Sequence, residues 1–297
     1  LSTAALGVFL DPSYEGDGLK IKEIIKRGPF AVKKNEVTPG SIIEKIDGTD
    51  IKAGEDYNAL LDGKAGKNIR LTIKNTKGKR FDLTIKAISQ GAQQELLYKR
   101  WVDRNRAIVD SVSHGRIAYV HVKAMNSESF RTVYSELLSE KNRTKDAVIV
   151  DERHNGGGWL HDDLCTLLNG KQYQEFVPHG KVVGKDPFNK WTKPSCVLIC
   201  EDDYSNGHGF PWVYKELGIG KLIGAPVAGT MTAVWWETLM DRSLVFGIPQ
   251  VGCRDMRGTF GENTTLQPDI EVYNSPEDYI TGHDTQLIRA VEEMMKK

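Results

Sequence analysis

Ala147-Val148-Ile149-Val150-Asp151-Glu152-Arg153-His154-Asn155-Gly156-Gly157-Gly158 is the stretch that decides the fold. Its first four residues are apolar and mostly β-branched, the pattern of a strand buried on both faces, as in a parallel sheet. The strand runs into polar residues and a triple glycine, and a helix is expected near Leu160. The same unit recurs downstream. Val197-Leu198-Ile199-Cys200 reads as a second buried strand, Glu201-Asp202-Asp203-Tyr204 as a polar turn, and residues 205–217 as a helix. Upstream, residues 117–122 predict a strand and 127–140 a helix. This alternation argues for an α/β core, a mainly parallel sheet with helices on its faces. Residues 284–295 close the chain as an amphipathic helix.

The first ninety residues have a different grammar. Short alternating stretches at 19–25, 42–46, 69–73 and 81–85 are separated by the turn signals Gly28-Pro29, Asp47-Gly48 and Lys77-Gly78, with one short helix over 56–61. They predict a small β-barrel. Residues 90–110 are charged and helix-favouring. The expected organisation is a small barrel over 1–88, a connecting helix over 89–113 and the α/β core over 114–297.

The chain has 297 residues, enough for two cores, and 40 basic against 40 acidic residues give zero formal charge. It therefore has no bulk field to attract nucleic acid or an anionic membrane. No apolar run approaches the ~20 residues that span a bilayer. The N-terminus lacks an initiator Met and a signal-like leader and enters a strand almost at once, as expected of a segment of a longer protein. The cellular compartment, exported or cytoplasmic, is left open. Of the four cysteines, Cys196 and Cys200 are roughly 13 Å apart along one strand, too far for a disulfide. Like Cys165 and Cys253 they are expected to act as small hydrophobes.

In α/β sheets functional groups collect at the carboxyl edge of the strands. The glycine run after Val150 lets backbone approach a ligand, and its N–H groups ahead of a helix suit a phosphate or an oxyanion. It is neither a dinucleotide fingerprint nor a P-loop, and a tight turn is its plain alternative. Ser205 opens the next helix, so its hydroxyl and the following amide share one electropositive spot, as a nucleophile and an oxyanion donor require. Its plain alternative is an N-cap.

Two resemblances bear on these alternatives. Leu6-Gly7-Val8-Phe9, with Thr38-Pro39-Gly40-Ser41-Ile42-Ile43 and Ile46-Asp47-Gly48, resembles a PDZ domain of the kind found in proteases. That resemblance implies an extended peptide held at Leu6, Gly7, Val8 and Phe9, or a docking domain that binds no free peptide. Asp151-x-Arg153-x-Asn155-Gly-Gly-Gly, Tyr204-Ser205-Asn206, Phe210-Pro211, Gly224, Gly229-Thr230 and Gln267-Pro268-Asp269-Ile270 resemble, in order, the tricorn branch of the C-terminal-processing peptidase family.

The second resemblance implies a serine peptidase acting on peptides or unfolded chains without metal or cofactor. It implies Ser205 as nucleophile, the amides of Gly157 and Asn206 as oxyanion hole, and Glu262 as the orienting carboxylate. In tricorn itself an aspartate follows the nucleophile and favours basic side chains; Asn206 departs from it. The lysine base of simpler processing proteases has no counterpart in residues 224–230. The resemblance instead implies a histidine, preceded by serine, upstream of the PDZ domain and thus of this chain. Ser113-His114, after the PDZ domain, and His208, three residues from Ser205, are the alternative bases inside it.

His154, His161, Asp162 and Asp163 match no zinc spacing and are expected to form a polar loop. One of Trp235 and Trp236 is expected to line a substrate groove and the other to face a core. The rival function is a peptide-binding protein without turnover. Expected partners are peptide substrates and upstream domains of the same protein; assembly into a homo-oligomer is left open.

Overall fold

The computed structural model describes residues 2–31 and 36–296; Leu1 and Lys297, the outermost residues of the expected domains, lie outside them. Two compact units, Leu1–Arg104 and Asn105–Lys297, divide the chain inside a long helix, Gln90–Val112.

The first unit is an antiparallel sheet in the order β1 (Val8–Leu10), β2 (Leu19–Ile24), β3 (Ile42–Ile46), β4 (Asn68–Lys74) and β5 (Arg80–Lys86). Register explains its core. Ile69 pairs with Ile85, Leu71 with Leu83 and Ile73 with Phe81, so alternation brings apolar side chains to one face. Ile21, Ile43, Ile46, Leu71 and Ile73 are buried there. Asp47 and Gly48 both take positive φ, 49° and 88°, the requirement of a primed two-residue hairpin turn. The helix α1 is Gln90–Val112.

The second unit is built on five parallel strands in chain order: β6 (Ile117–His121), β7 (Ala147–Asp151), β8 (Ser195–Ile199), β9 (Lys221–Gly224) and, at the edge, Ile270–Glu271. Val148 and Val150 on β7, with Val197 and Ile199 on β8, share one face. They pack with side chains of α2 (Ser127–Leu137), α3 (His161–Leu168) and α4 (Asn206–Glu216). The closing helix α5 (Thr285–Met295) packs on the same strands, where the alternate residues point. This is the parallel, helix-flanked core read from the sequence.

Two expectations are corrected. The helix over 127–140 ends at Leu137, because Ser139 caps a separate short helix, Glu140–Arg143, through Oγ and the Asn142 N–H at 3.3 Å. Trp235 and Trp236 alternate as a strand requires, on Ala233–Thr238, but the hairpin it forms with Val245–Val251 has no core on either face. They are 58% and 66% exposed. No helix among the described residues is long and apolar enough to cross a membrane.

Candidate active site

Where β7 ends, charge is paired in depth. Asp151 is fully buried and accepts Nε of Arg153 at 2.9 Å, its NH2 group at 2.7 Å and the Tyr119 hydroxyl at 2.8 Å. Burial alone raises the Asp151 carboxyl; the Arg153 guanidinium and these hydrogen bonds outweigh it and hold the group below its usual range. Arg153 also reaches Asp284, the N-cap of α5, at 2.9 and 3.0 Å. Thus the β7 carboxyl end is fastened to the closing helix before the glycine run begins.

Asn155 then organises the turn. Its Nδ2 donates to the Val122 carbonyl at 2.8 Å, and its backbone carbonyl accepts the Tyr204 N–H at 2.9 Å. Asp203, almost fully buried, joins the two loops, accepting the Asn155 N–H at 3.1 Å and the Cys200 N–H at 2.8 Å. Burial pushes the Asp203 carboxyl up to about 8. Glu152, also buried, has no hydrogen-bond partner on either oxygen among the described residues. Burial, with Asp203 and Asp151 nearby, raises it well above the carboxylate range.

Gly157 takes φ 92°, and a Cβ there would lie 2.6 Å from Ser205 Cβ and 2.7 Å from the Tyr204 carbonyl oxygen. Only glycine permits this approach. Its N–H donates to Asn155 Oδ1 at 2.9 Å, so the amide expected in the oxyanion hole is already bonded. Gly156 and Gly158 face the hollow beside Ser205.

Ser205 adopts φ 56° and ψ −118°, and its side chain makes no capping hydrogen bond. The N-cap alternative is therefore set aside. A non-glycine residue so placed carries on the order of 1–3 kcal/mol of strain, the signature of a serine on a sharp strand-to-helix turn. Its own N–H is held by Thr230 Oγ1 at 3.0 Å. The next N–H, that of Asn206, meets no acceptor among the described residues.

The Asn206 side chain turns away from this opening. Its Oδ1 accepts the N–H groups of Leu160 at 2.8 Å and His161 at 3.1 Å, capping α3 from another element. With Oδ1 so fixed, Nδ2 donates to Nδ1 of His161 at 2.9 Å. Neutral His161 then carries its proton on Nε2 and is a donor, not a base.

The hollow at Ser205 measures about 690 Å³, with Trp159, Trp212 and Trp236 among its walls and Glu262 at its rim. Glu262 accepts the Thr232 N–H at 2.8 Å, and hydrogen bonds from Thr232 hold its carboxyl below the usual range. Trp236 is the one of the tryptophan pair that lines the hollow, and His161, expected only in a polar loop, lines it too. An exposed tryptophan beside a strained serine is visible only once the hairpin is placed.

The alternative bases lie elsewhere. His208 is buried, and burial lowers its pKa against the opposing pull of the Glu262 carboxylate and the Thr264 backbone. It borders a separate hollow with Lys215, Phe260 and Thr264. His114 sits exposed in a φ 52° turn ahead of β6, at the amino edge of the parallel sheet. Ser205 follows the carboxyl edge, about 16 Å away along five-residue strands.

In the first unit, the loop expected to hold a peptide carboxylate is engaged internally. The Gly7 N–H donates to Oε1 of Gln93, on α1, at 2.9 Å. Leu6 and Val8 are buried, and Phe9 lies beneath the Arg100 guanidinium, 5.7 Å from the ring centre. A hollow of about 800 Å³ between Gly28-Pro29, Ala65 and Ile85–Ala92 is lined, among the described residues, by no histidine, cysteine or carboxylate.

Known proteins match this layout unit by unit. The profile of the tricorn protease PDZ domain matches residues 14–90, and that of peptidase family S41 matches residues 116–272. The tricorn protease of Thermoplasma acidophilum is 28% identical over 87% of this chain and 24% of its own length. A tricorn protease homolog of Saccharolobus solfataricus is 28% identical over 96% of this chain and 26% of its own. The crystal structure of the tricorn protease superposes with a TM-score of 0.80 at 25% identity, over 99% of this chain and 29% of that one. The chain thus spans about a quarter of the length of the curated relatives it matches. The S41 profile covers more than half of the chain, and with the tricorn-type PDZ domain ahead of it the chain belongs to peptidase family S41.

Proposed function

We propose that this chain carries the nucleophile, oxyanion hole and substrate hollow of a serine peptidase that cleaves peptides or unfolded polypeptides. The strained Ser205, followed by an Asn206 N–H with no internal acceptor, is the observation that carries the reading. Ser205 Oγ attacks the substrate carbonyl, and the Asn206 amide receives the oxyanion together with an N–H of the glycine run other than that of Gly157. Gly158, whose N–H also meets no acceptor among the described residues, takes that second place. Glu262 orients the proton-transfer network from the rim. The tryptophan walls receive a large apolar side chain next to the scissile bond, and the neutral, inward-turned Asn206 offers a basic side chain nothing.

The base belongs to the longer protein. Among the described residues no imidazole is placed to take the Ser205 proton: His161 is in the wrong tautomer, and His114 and His208 face elsewhere. A histidine upstream of the PDZ domain fills this role. The test is a fluorophosphonate label on the chain extended N-terminally. Ser205 is expected to be modified, and Ser205→Ala to abolish both labelling and peptide cleavage, a loss on the order of 10⁶ where a nucleophile is removed. Cleavage by Ser205→Ala within tenfold of the parent overturns the assignment. An unlabelled Ser205 in the extended protein favours a binding protein without turnover.

A further inference from the structure

The two loops that bring Gly158 and Ser205 together also bring together three side chains that the peptidase chemistry does not use. His154 follows β7, and Cys200 and Asp202 follow β8. Because these strands are parallel neighbours, with Asp151 opposite Leu198, both loops leave the sheet at one level. His154 Nδ1 lies 3.0 Å from each Asp202 carboxylate oxygen and 3.8 Å from Cys200 Sγ, and the sulfur lies 2.7 Å from Asp202 Oδ1. One ligand atom from each residue lies within 4.8 Å of the others. The sulfur faces inward while the imidazole and carboxylate are open to solvent, with side-chain exposures of 47% and 66%.

We propose that His154, Cys200 and Asp202 bind a borderline-soft divalent cation, zinc being the best fit, with water in the fourth position. Around a tetrahedral zinc ion, bonds to nitrogen and oxygen of about 2.0–2.1 Å and to sulfur of about 2.3 Å separate nitrogen from sulfur by about 3.5 Å and nitrogen from oxygen by about 3.3 Å. The spacings of 3.8 and 3.0 Å lie within a few tenths of an ångström of these. The sulfur–oxygen contact is shorter because a thiol proton bridges it, and it opens by about 0.8 Å when the ion replaces that proton. Asp202 is exposed and has room to move. The Cys200 thiol proton leaves to solvent, and the proton that His154 Nδ1 gives to the Asp202 carboxylate shifts through solvent to Nε2, which frees the Nδ1 lone pair for the ion. The sulfur already accepts the His154 backbone N–H at 3.2 Å, a contact that supports a metal-bound thiolate. A hard cation is disfavoured by the sulfur and the imidazole. The ion would join the glycine loop to the Ser205 loop from the solvent side, where Asp203 joins them from within.

The test uses this chain and Co²⁺ as a spectroscopic probe, with Zn²⁺ as competitor. One equivalent of Co²⁺ is expected to give thiolate-to-cobalt charge-transfer absorption that Zn²⁺ displaces and that Cys200→Ser abolishes. His154→Ala and Asp202→Ala, at exposed positions, are each expected to weaken binding at least about tenfold. They carry the test if the buried Cys200→Ser fails to fold. Absence of the band, its persistence in Cys200→Ser with Cys253 as the source, or unchanged affinity in either surface variant overturns the site and leaves a hydrogen-bonded trio. None of these readouts depends on peptidase activity.

Discussion

Each unit of this protein carries a glycine-bearing loop proposed to hold a peptide group on backbone N–H, and the two differ in what faces them. In the PDZ unit the Gly7 N–H is satisfied from within by Gln93. In the peptidase unit the Asn206 N–H meets no acceptor among the described residues, next to a serine held at φ 56°. Buried and semi-buried backbone donors are nearly always paired. An unpaired donor beside a strained serine therefore suits the proposed place where a substrate completes the structure, whereas a paired one reads as a joint.

The largest effect that would sharpen this contrast is expected at Gly157. Gly157→Ala drives a methyl group into Ser205 Cβ, and a misplacement near 1 Å costs roughly 10²-fold in rate. Fluorophosphonate labelling of Ser205 should slow by at least that factor. At Gly156 an added Cβ meets nothing within 4 Å, so Gly156→Ala should slow it far less. Equal losses in the two variants would mean that the glycine run serves the turn and not the nucleophile.

Glu262→Gln comes next. The amide keeps the shape and loses the charge that the rim presents to the hollow, and turnover of the extended protein should fall about 10- to 100-fold with little change in melting temperature. If stability and activity fall together, Glu262 is a structural acceptor for Thr232 and nothing more.

The smallest effect tests the closed loop. Gln93→Ala removes one hydrogen bond, worth about 1 kcal/mol, and frees the Gly7 N–H. Calorimetry with peptides bearing a free C-terminal carboxylate should detect binding that is weaker or absent in the parent. Failure to gain any would show that the loop is a joint even when uncovered, consistent with the tight contact between Gly7 and Pro29.

How much of this was legible in the sequence depends on range. The apolar run at Val148–Val150 dictates a buried parallel strand by itself, and the Asp47-Gly48 turn by its chemistry. Ser205 was legible as a candidate through its motif, but its conformation was not, since a serine at a helix start looks like a cap until its φ is known. The resemblance implies the Gly157 N–H as an oxyanion donor, and nothing in the sequence says that Asn155 Oδ1 turns back onto it. His154 and Cys200 are 46 residues apart, and only the pairing of β7 with β8 makes them neighbours. Of the tryptophan pair, Trp236 lines the hollow and Trp235 meets no core, because alternation implies a buried face only where a second layer covers it.

One atom of Asn206 governs more than the cap of α3. Its Nδ2 gives a hydrogen to His161, whose remaining proton therefore points out through Nε2. A carboxylate at this position would still accept the two backbone N–H groups of α3 but would have no hydrogen to give. The imidazole would then donate through Nδ1 and expose a lone pair on Nε2 toward the hollow. Asparagine in place of aspartate thus acts as a polarity selector: a nitrogen exchanged for an oxygen reverses the direction in which a neighbouring ring can pass a proton.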